Sequence, residues 1–145
     1  MALFISSQDA IFTLSISTLY PTPQQLQGWA ADEAFATEAL APTEVLPGID
    51  GILSGGFVYN PMKQTITFQA NSLGSIGIFE TWHVQQQAQL TTFVAQGIIR
   101  SPALGRKWTL VNGFLTNLVP IPEAKKLLQP RRFELTWQSF QPSPL

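Results

Sequence analysis

Apolar and polar residues alternate along three stretches of the chain, 10–19, 64–70 and 131–140. Successive side chains of a β-strand point to opposite faces of a sheet, so this alternation predicts three half-buried strands. One face of each strand carries large apolar residues and the other carries mainly polar ones. The residues expected to face inward are Phe12, Leu14, Ile16, Ile66, Phe68, Ala70, Phe133, Leu135 and Trp137.

The segment 75–95 has a longer period and predicts a helix. Its apolar residues recur at intervals of three and four, which places them on one helical face. The opposite face is almost uncharged, because glutamines occupy much of it. Asn71 and Ser72 precede the segment and offer capping side chains. The expected apolar stripe consists of Ile76, Phe79, Trp82 or His83, Leu90, Phe93 and Val94.

A long acidic loop is expected over about 20–50. Proline cannot donate a backbone hydrogen bond, so Pro21 and Pro23 predict that the first strand stops there. The residues that follow have weak periodicity and hold most of the early acids. We expect within them a short extended segment at 35–40 or at 43–46. Loops of this length are usually functional or become ordered by a partner.

Two residue pairs predict local features of further strands. Gly55–Gly56 lies inside an apolar run over 51–60 and predicts a bulge or a bend. Asn112–Gly113 is the strongest two-residue hairpin signal in the chain. It predicts a turn between one strand over 106–111 and a return strand over 113–119.

The sum is six to eight strands, one helix and a long loop. This set predicts a mainly β fold, as a β-sandwich or a small barrel with one flanking α-helix. With 145 residues, the chain is expected to form a single domain over 1–145.

Charged residues are scarce and are divided between two parts of the chain. They make up 12% of the sequence, against about 25% in ordinary soluble domains. Every charged residue before Lys63 is acidic and most of those from Lys63 onward are basic, although the net charge is only −1. Such a chain can attract copies of itself. The residues predicted to form subunit interfaces are Asp32, Glu33, Glu38, Glu44, Arg106, Lys107, Arg131 and Arg132.

The sequence offers no convincing set of catalytic or metal-binding residues. It has no cysteine and a single histidine, His83, whereas metal sites and catalytic triads combine several such groups. The adjacent acids Asp32 and Glu33 are interpreted as a solvated or partner-facing patch. We therefore expect no enzyme activity, no metal and no cofactor.

One alternative function and one location follow from other features. The aromatic content leaves open a small β-barrel module that binds a hydrophobic ligand or a glycan. The tryptophans that favour the ligand- or glycan-binding module are Trp29, Trp82, Trp108 and Trp137.

The N-terminus lacks a signal-peptide pattern, and no apolar run approaches the ~20 residues that cross a bilayer. We therefore expect synthesis in the cytoplasm and no membrane partner.

From about Leu46 to Phe140 the order and spacing of several short segments resemble a known family. The segments are Gly48–Ser54, Ile66–Ser72, Phe79–Trp82, Gly105–Lys107, Gly113–Thr116 and Leu128–Phe133. In this order they resemble bacteriophage tail proteins related to the tail tube of contractile-tailed phages. Residues 1–45 match this family only in general character.

The resemblance implies a fold, an assembly and a location. The implied fold is a tail-tube-like twisted β-sandwich or split barrel, with a flanking helix and a loop that reaches a neighbour. The implied assembly is a hexameric ring around a channel through which double-stranded DNA passes without sequence recognition. Such a ring belongs to the virion tail, as tail tube, tube initiator or baseplate-to-tube adaptor, and contacts other tail proteins, including sheath or tube. Assembly in the host cytoplasm is implied as well.

Overall fold

A computed structural model describes residues 10–30 and 35–145 of the protein. Seven strands form one antiparallel sheet in the order β2-β1-β7-β8-β9-β6-β3, and β4 pairs with β5 in a separate hairpin. The predicted class, mainly β with one helix, is confirmed, with nine strands in the described ranges instead of six to eight. The elements are β1 (Ile11–Ile16), β2 (Tyr20–Gln25), β3 (Phe35–Thr37), β4 (Thr43–Pro47), β5 (Leu53–Phe57), β6 (Met62–Phe68), α1 (Leu73–Gln89), β7 (Ala95–Ser101), β8 (Arg106–Leu118) and β9 (Arg131–Pro144).

The alternating patterns predict the inward face of the large sheet correctly. Alternate residues of β1, β6 and β9 are buried, and the cross-strand pairs place them side by side. Ala70 is the exception, because β6 ends at Phe68 and Ala70 lies half-buried beyond it. The confirmed inward residues are Phe12, Leu14, Ile16, Ile66, Phe68, Phe133, Leu135 and Trp137.

The large sheet curls until its two ends face each other across the core. Phe12 lies in β1, next to one edge of the sheet, and Phe35 lies in β3 at the other edge. Their ring centroids are nevertheless only 5.6 Å apart, in an edge-to-face contact. Trp29 stacks on Phe68 at 4.9 Å and fills the space beside them. This curvature agrees with the predicted sandwich or split barrel.

Helix α1 packs its first half on the core and ends earlier than predicted. Phe79 contacts Phe133 at a centroid distance of 4.8 Å, and Trp82 is fully buried beside it. The predicted stripe is wrong beyond Trp82, because Leu90 adopts a left-handed backbone conformation that stops the helix and leaves its side chain exposed. Phe93 still reaches the core, but from the connection to β7.

The predicted capping side chain has a different partner. Ser72 is the N-cap residue of α1, but its side chain makes no capping bond. Its hydroxyl donates instead to the carbonyl of Gln27 at 2.7 Å, while the Ser75 hydroxyl accepts from the Gln27 amide at 2.8 Å. These two bonds fasten the segment after β2 to the start of the helix.

The hairpin predicted at Asn112–Gly113 is wrong, because β8 runs through both residues. Its register against β7 shifts between Ala95 and Gly97, so the pair forms an irregularity inside one long strand. Asn112 has φ of 50°, which asparagine tolerates better than most residues, and its side chain bonds Gln96. A Cβ at Gly113 would lie 2.5 Å from the Trp137 ring, so this position requires glycine.

The loop expected over 20–50 contains three strands. Pro21 and Pro23 lie in β2, an edge strand with a single neighbour, where a missing amide donor is tolerated. The expectation of one extended segment also falls short, since both alternatives form as β3 and β4. Of the bulge or bend predicted at Gly55–Gly56, the bulge does not form, because β4 and β5 pair in unbroken register.

Candidate assembly interface

The β4–β5 hairpin projects from the body of the protein, and we call residues 38–57 the arm. Every arm residue is exposed, including both strands from end to end. A two-stranded hairpin is marginally stable in water without further packing. The arm therefore presents a large apolar surface that no residue in the described ranges covers. Its large apolar side chains are Leu40, Val45, Leu46, Ile49, Ile52, Leu53 and Phe57.

One face of the arm is mainly apolar. The register pairs Pro47 with Leu53 and Val45 with Gly55, which places these residues on the same face. A Cβ at Gly55 would make only ordinary contacts, and one at Gly56 would meet no atom within 4 Å. Neither glycine is among those with positive φ. Packing within the protomer thus does not require these glycines, whereas close approach by another chain would.

Hydrogen bonds tie the base of the arm to itself and to the sheet. The Tyr59 hydroxyl donates to the carbonyl of Gln138 at 2.8 Å. The Asn60 side chain donates to the carbonyl of Ala41 at 2.7 Å, and the Val58 amide donates to the carbonyl of Pro42 at 2.9 Å. These contacts fix the direction in which the arm leaves the body.

A second apolar surface lies at the other end of strand β6. The β8–β9 loop, residues 119–130, contributes exposed Leu127 and Leu128 to a pocket of about 500 Å³. β6 begins beside the base of the arm at Met62 and ends at Phe68, immediately before the other pocket segment. Seven residues at about 3.3 Å each separate the two surfaces by roughly 20 Å. The pocket is lined by Gln69, Ala70, Asn71, Leu127, Leu128 and Pro130.

Arg131 lies inside the protomer, although the sequence predicted it at an interface. It is 4% exposed. Its guanidinium donates to the carbonyls of Val119 and Pro120 and to the Glu80 carboxylate of α1. It also lies 5.3 Å from the centroid of the Phe133 ring. The alternation of β9 explains this placement, because Arg131 falls on the inward face with Phe133 and links the β8–β9 loop to the helix.

The other predicted interface residues are dispersed over the surface. Glu38 and Glu44 are exposed on the arm, Arg132 is exposed on β9, and Arg106 and Lys107 begin β8. Within the described ranges, the two ion pairs are Lys125 with Glu123 and Arg131 with Glu80. The protomer therefore does not bring the predicted acids and bases together. Asp32 and Glu33 lie outside the described residues.

Sequence reasoning missed the apolar part of both surfaces. The arm was interpreted as an acidic loop, so its leucines and isoleucines were not considered as contact residues. A usable signal was present in 45–57, where five large aliphatic residues accompany one acid and four glycines but no base. The loop pocket left no comparable signal, because it forms from two segments that are distant in sequence.

Comparison with known proteins places this architecture in a family. Residues 4–141 match the family model described as tail fiber protein gp32. The chain belongs to this family. The predicted resemblance to tail-tube-related phage proteins is confirmed. No curated protein matches the chain significantly.

Solved structures of contractile injection systems share the fold of this gp32-family chain at low identity. A chain of the anti-feeding prophage baseplate, symmetrised six-fold, is 10% identical with a TM-score of 0.60, and the match covers 99% of this chain and 98% of that one. A chain of the cap that terminates the anti-feeding prophage tube is 12% identical, TM-score 0.65, with 100% and 94% covered. A chain of the PVC sheath/tube terminator is 13% identical, TM-score 0.66, with 99% of each covered. These structures show that the chain shares their fold, and the family match supports a structural role in a tail.

The tryptophans of this family member do not form an exposed ligand cleft. Trp82 and Trp137 are fully buried, and Trp29 and Trp108 pack half-buried against the core. The indole of Trp137 donates to the side chain of Gln64 at 2.9 Å, so its polar atom is used internally. His83 is half-buried on α1, and the described part of the chain holds no group of three residues suited to a metal ion. No helix in the described ranges combines the length and apolar character of a membrane span.

Proposed function

We propose that this protein forms a ring in a contractile tail, where it builds or initiates the tail tube around the DNA channel. The observation that carries the proposal is the fully exposed apolar arm, held at a fixed base. An arm of this kind is stabilised when a neighbouring subunit covers it, because apolar surface removed from water contributes about 25 cal/mol per Å². The protein then acts as a structural subunit and not as an enzyme.

A ring also requires two different surfaces on each subunit, since head-to-tail contacts join unlike faces. The arm supplies one such surface, with Glu38, Glu44 and Asp50 as its charged residues. Exposed bases on the body, among them Arg106 and Arg132, supply the opposite charge. The six-fold symmetry of the anti-feeding prophage baseplate, whose chain shares this fold, favours a hexamer.

The low net charge and the shared fold both fit a tube in the virion tail through which DNA passes. The net charge of −1 gives little attraction for a phosphate backbone, so DNA can pass without sequence recognition. The family is named for a tail fiber, but the shared fold is that of chains in tube-terminating, cap and baseplate structures. We therefore assign the protein to the tube and its ends, with tube, sheath or baseplate proteins as partners after assembly in the host cytoplasm.

The test compares the assembly of the full chain with that of an arm variant. Sedimentation and negative-stain microscopy should show rings or tubes for the wild-type protein, alone or with its tail partners. Replacing Leu53 and Phe57 with serine should leave the melting temperature unchanged and shift the protein to smaller species. In the matched control, serine replaces the exposed residues Val84 and Leu104, which lie outside the arm. This variant should assemble normally. A wild-type protein that stays monomeric with its tail partners present would contradict the proposal.

A further inference from the structure

We infer that the β8–β9 loop moves as one unit and that a clasp, the buried side chain of Arg131 bonded to Glu80 of α1, holds it against the protomer. A basic group that draws Glu80 away from outside releases the loop. The motion takes place inside one protomer, so it does not depend on whether the protein forms rings.

The β8–β9 loop has a structure of its own. The Gln129 amide donates to the carbonyl of Glu123 at 2.8 Å, and an isolated β-bridge joins Ala124 to Leu128. None of the loop residues 119–130 is buried, so the loop adds no side chain to the core. The loop can therefore change position without breaking its internal bonds or opening the core.

The attachment of the loop to the rest of the protomer lies at its base. The Val119 amide donates to the carbonyl of Arg132 at 3.1 Å. The Arg131 guanidinium donates to the carbonyls of Val119 at 3.0 Å and Pro120 at 2.8 Å. Beyond this base, a pocket of about 500 Å³ opens between the loop and residues 69–71. The outer part of the loop therefore does not close onto the body.

Glu80 explains why the Arg131 guanidinium stays inside. Arg131 is 4% exposed, and a buried charge is costly unless an opposite charge pairs with it. Among the described residues, the Glu80 carboxylate supplies that pairing charge. Without it, we expect the guanidinium to turn toward solvent and to leave the carbonyls of Val119 and Pro120. Loss of one ion pair thus removes three of the contacts that fasten the base of the loop.

The clasp can be reached from outside. The Glu80 side chain is 54% exposed, although its partner is buried. Glu80 is also the one acidic or basic residue in the α1 sequence apart from His83. A basic group that approaches the outer surface of α1 therefore meets this carboxylate without competition from other charges on the helix. Contact at the helix is in this way transmitted to the loop.

Amide hydrogen exchange, followed by NMR on the full chain, tests the clasp with Glu80→Gln. Exchange at Val119 should rise several-fold, because the base of the loop opens when Arg131 leaves. Exchange at Gln129 and along β7, which lies between two strands, should stay unchanged. The matched control is Glu134→Gln, which removes a β9 carboxylate that forms no ion pair with any described residue.

Three results would contradict the clasp. Unchanged exchange at Val119 would show that Glu80 does not hold the loop. A matching rise at Gln129 would show that the loop unravels instead of moving as a unit. A matching rise along β7 would show that Glu80 contributes to the stability of the whole protomer and not to the loop in particular.

A variant on the helix tests release from outside. Val84 is exposed and lies one helical turn after Glu80. Val84→Arg places a second guanidinium within reach of the Glu80 carboxylate, since residues four apart are neighbours on a helix. Exchange at Val119 should rise, by less than in Glu80→Gln, while Val84→Gln as the uncharged control should leave it unchanged. Equal exchange in the two Val84 variants would show that an outside base does not release the loop.

Discussion

The arm and the β8–β9 hairpin are built alike but differ in what covers them. Both are antiparallel pairs joined by one connection and both carry large apolar side chains. In β9, Phe133, Leu135 and Trp137 lie fully buried in the core, whereas on the arm Leu46 is 71% and Phe57 82% exposed. Strand pairing alone therefore does not account for the stability of a hairpin, which depends on the apolar surface that neighbouring elements remove from water.

The glycines of the two regions show the same contrast. Gly113 in β8 lies against the ring of Trp137, which leaves no room for a Cβ. A Cβ at Gly56 on the arm would meet no atom of the described residues within 4 Å. The fold of the protomer requires the first glycine, whereas no contact among the described residues requires the second.

The largest expected effect comes from removing the ring that packs on Gly113. Trp137→Ala should reduce the free energy of unfolding by about 3–5 kcal/mol, because a large buried aromatic leaves a cavity. The arm supplies the control, since Phe57→Ala also deletes an aromatic ring but from an exposed position. Chemical denaturation followed by circular dichroism measures both variants. Similar losses for the two would show that the arm is as well packed as the body.

A smaller effect is expected from the two adjacent arginines of β9. Arg131→Ala should cost about 1–3 kcal/mol, because the carbonyls of Val119 and Pro120 lose their donor. Arg132→Ala should change stability by less than about 0.5 kcal/mol, since that side chain is exposed. Thermal melting of the two variants gives the comparison. Equal melting temperatures would contradict the internal role of Arg131.

The smallest effect on stability is expected on the arm itself. Gly56→Val should change the free energy of unfolding by less than about 0.5 kcal/mol, because a Cβ at this position meets no atom of the described residues within 4 Å. It should nevertheless reduce assembly, as judged by sedimentation, because the branched side chain keeps a neighbour at a distance. Normal assembly would show that no chain approaches the arm at this glycine.

Much of the body could be predicted from the sequence because its strands alternate regularly. Phe12, Leu14 and Ile16 were assigned to the core from period alone, and the structure buries them. Asn112–Gly113 misled the prediction, because the same pair that suits a tight turn also suits an irregularity in a strand held by β7 and β9 on both sides. For the candidate interface, the sequence pointed to Glu38 and Glu44, which the structure places exposed on the arm. The apolar residues of the arm were assigned to a loop.

The sequence by itself determined where apolar and polar residues alternate, and so which side chains could share one face of a strand. It also determined which side chains carry charge and how acids and bases divide along the chain. These properties are local, so they can be recognised without coordinates. The tertiary structure alone decided that Arg131 turns inward while Arg132 stays outside, and that the arm and the pocket lie at opposite ends of β6. Those outcomes depend on how strands distant in sequence pair and curl, because pairing determines which apolar surfaces are buried and which are left for a neighbour.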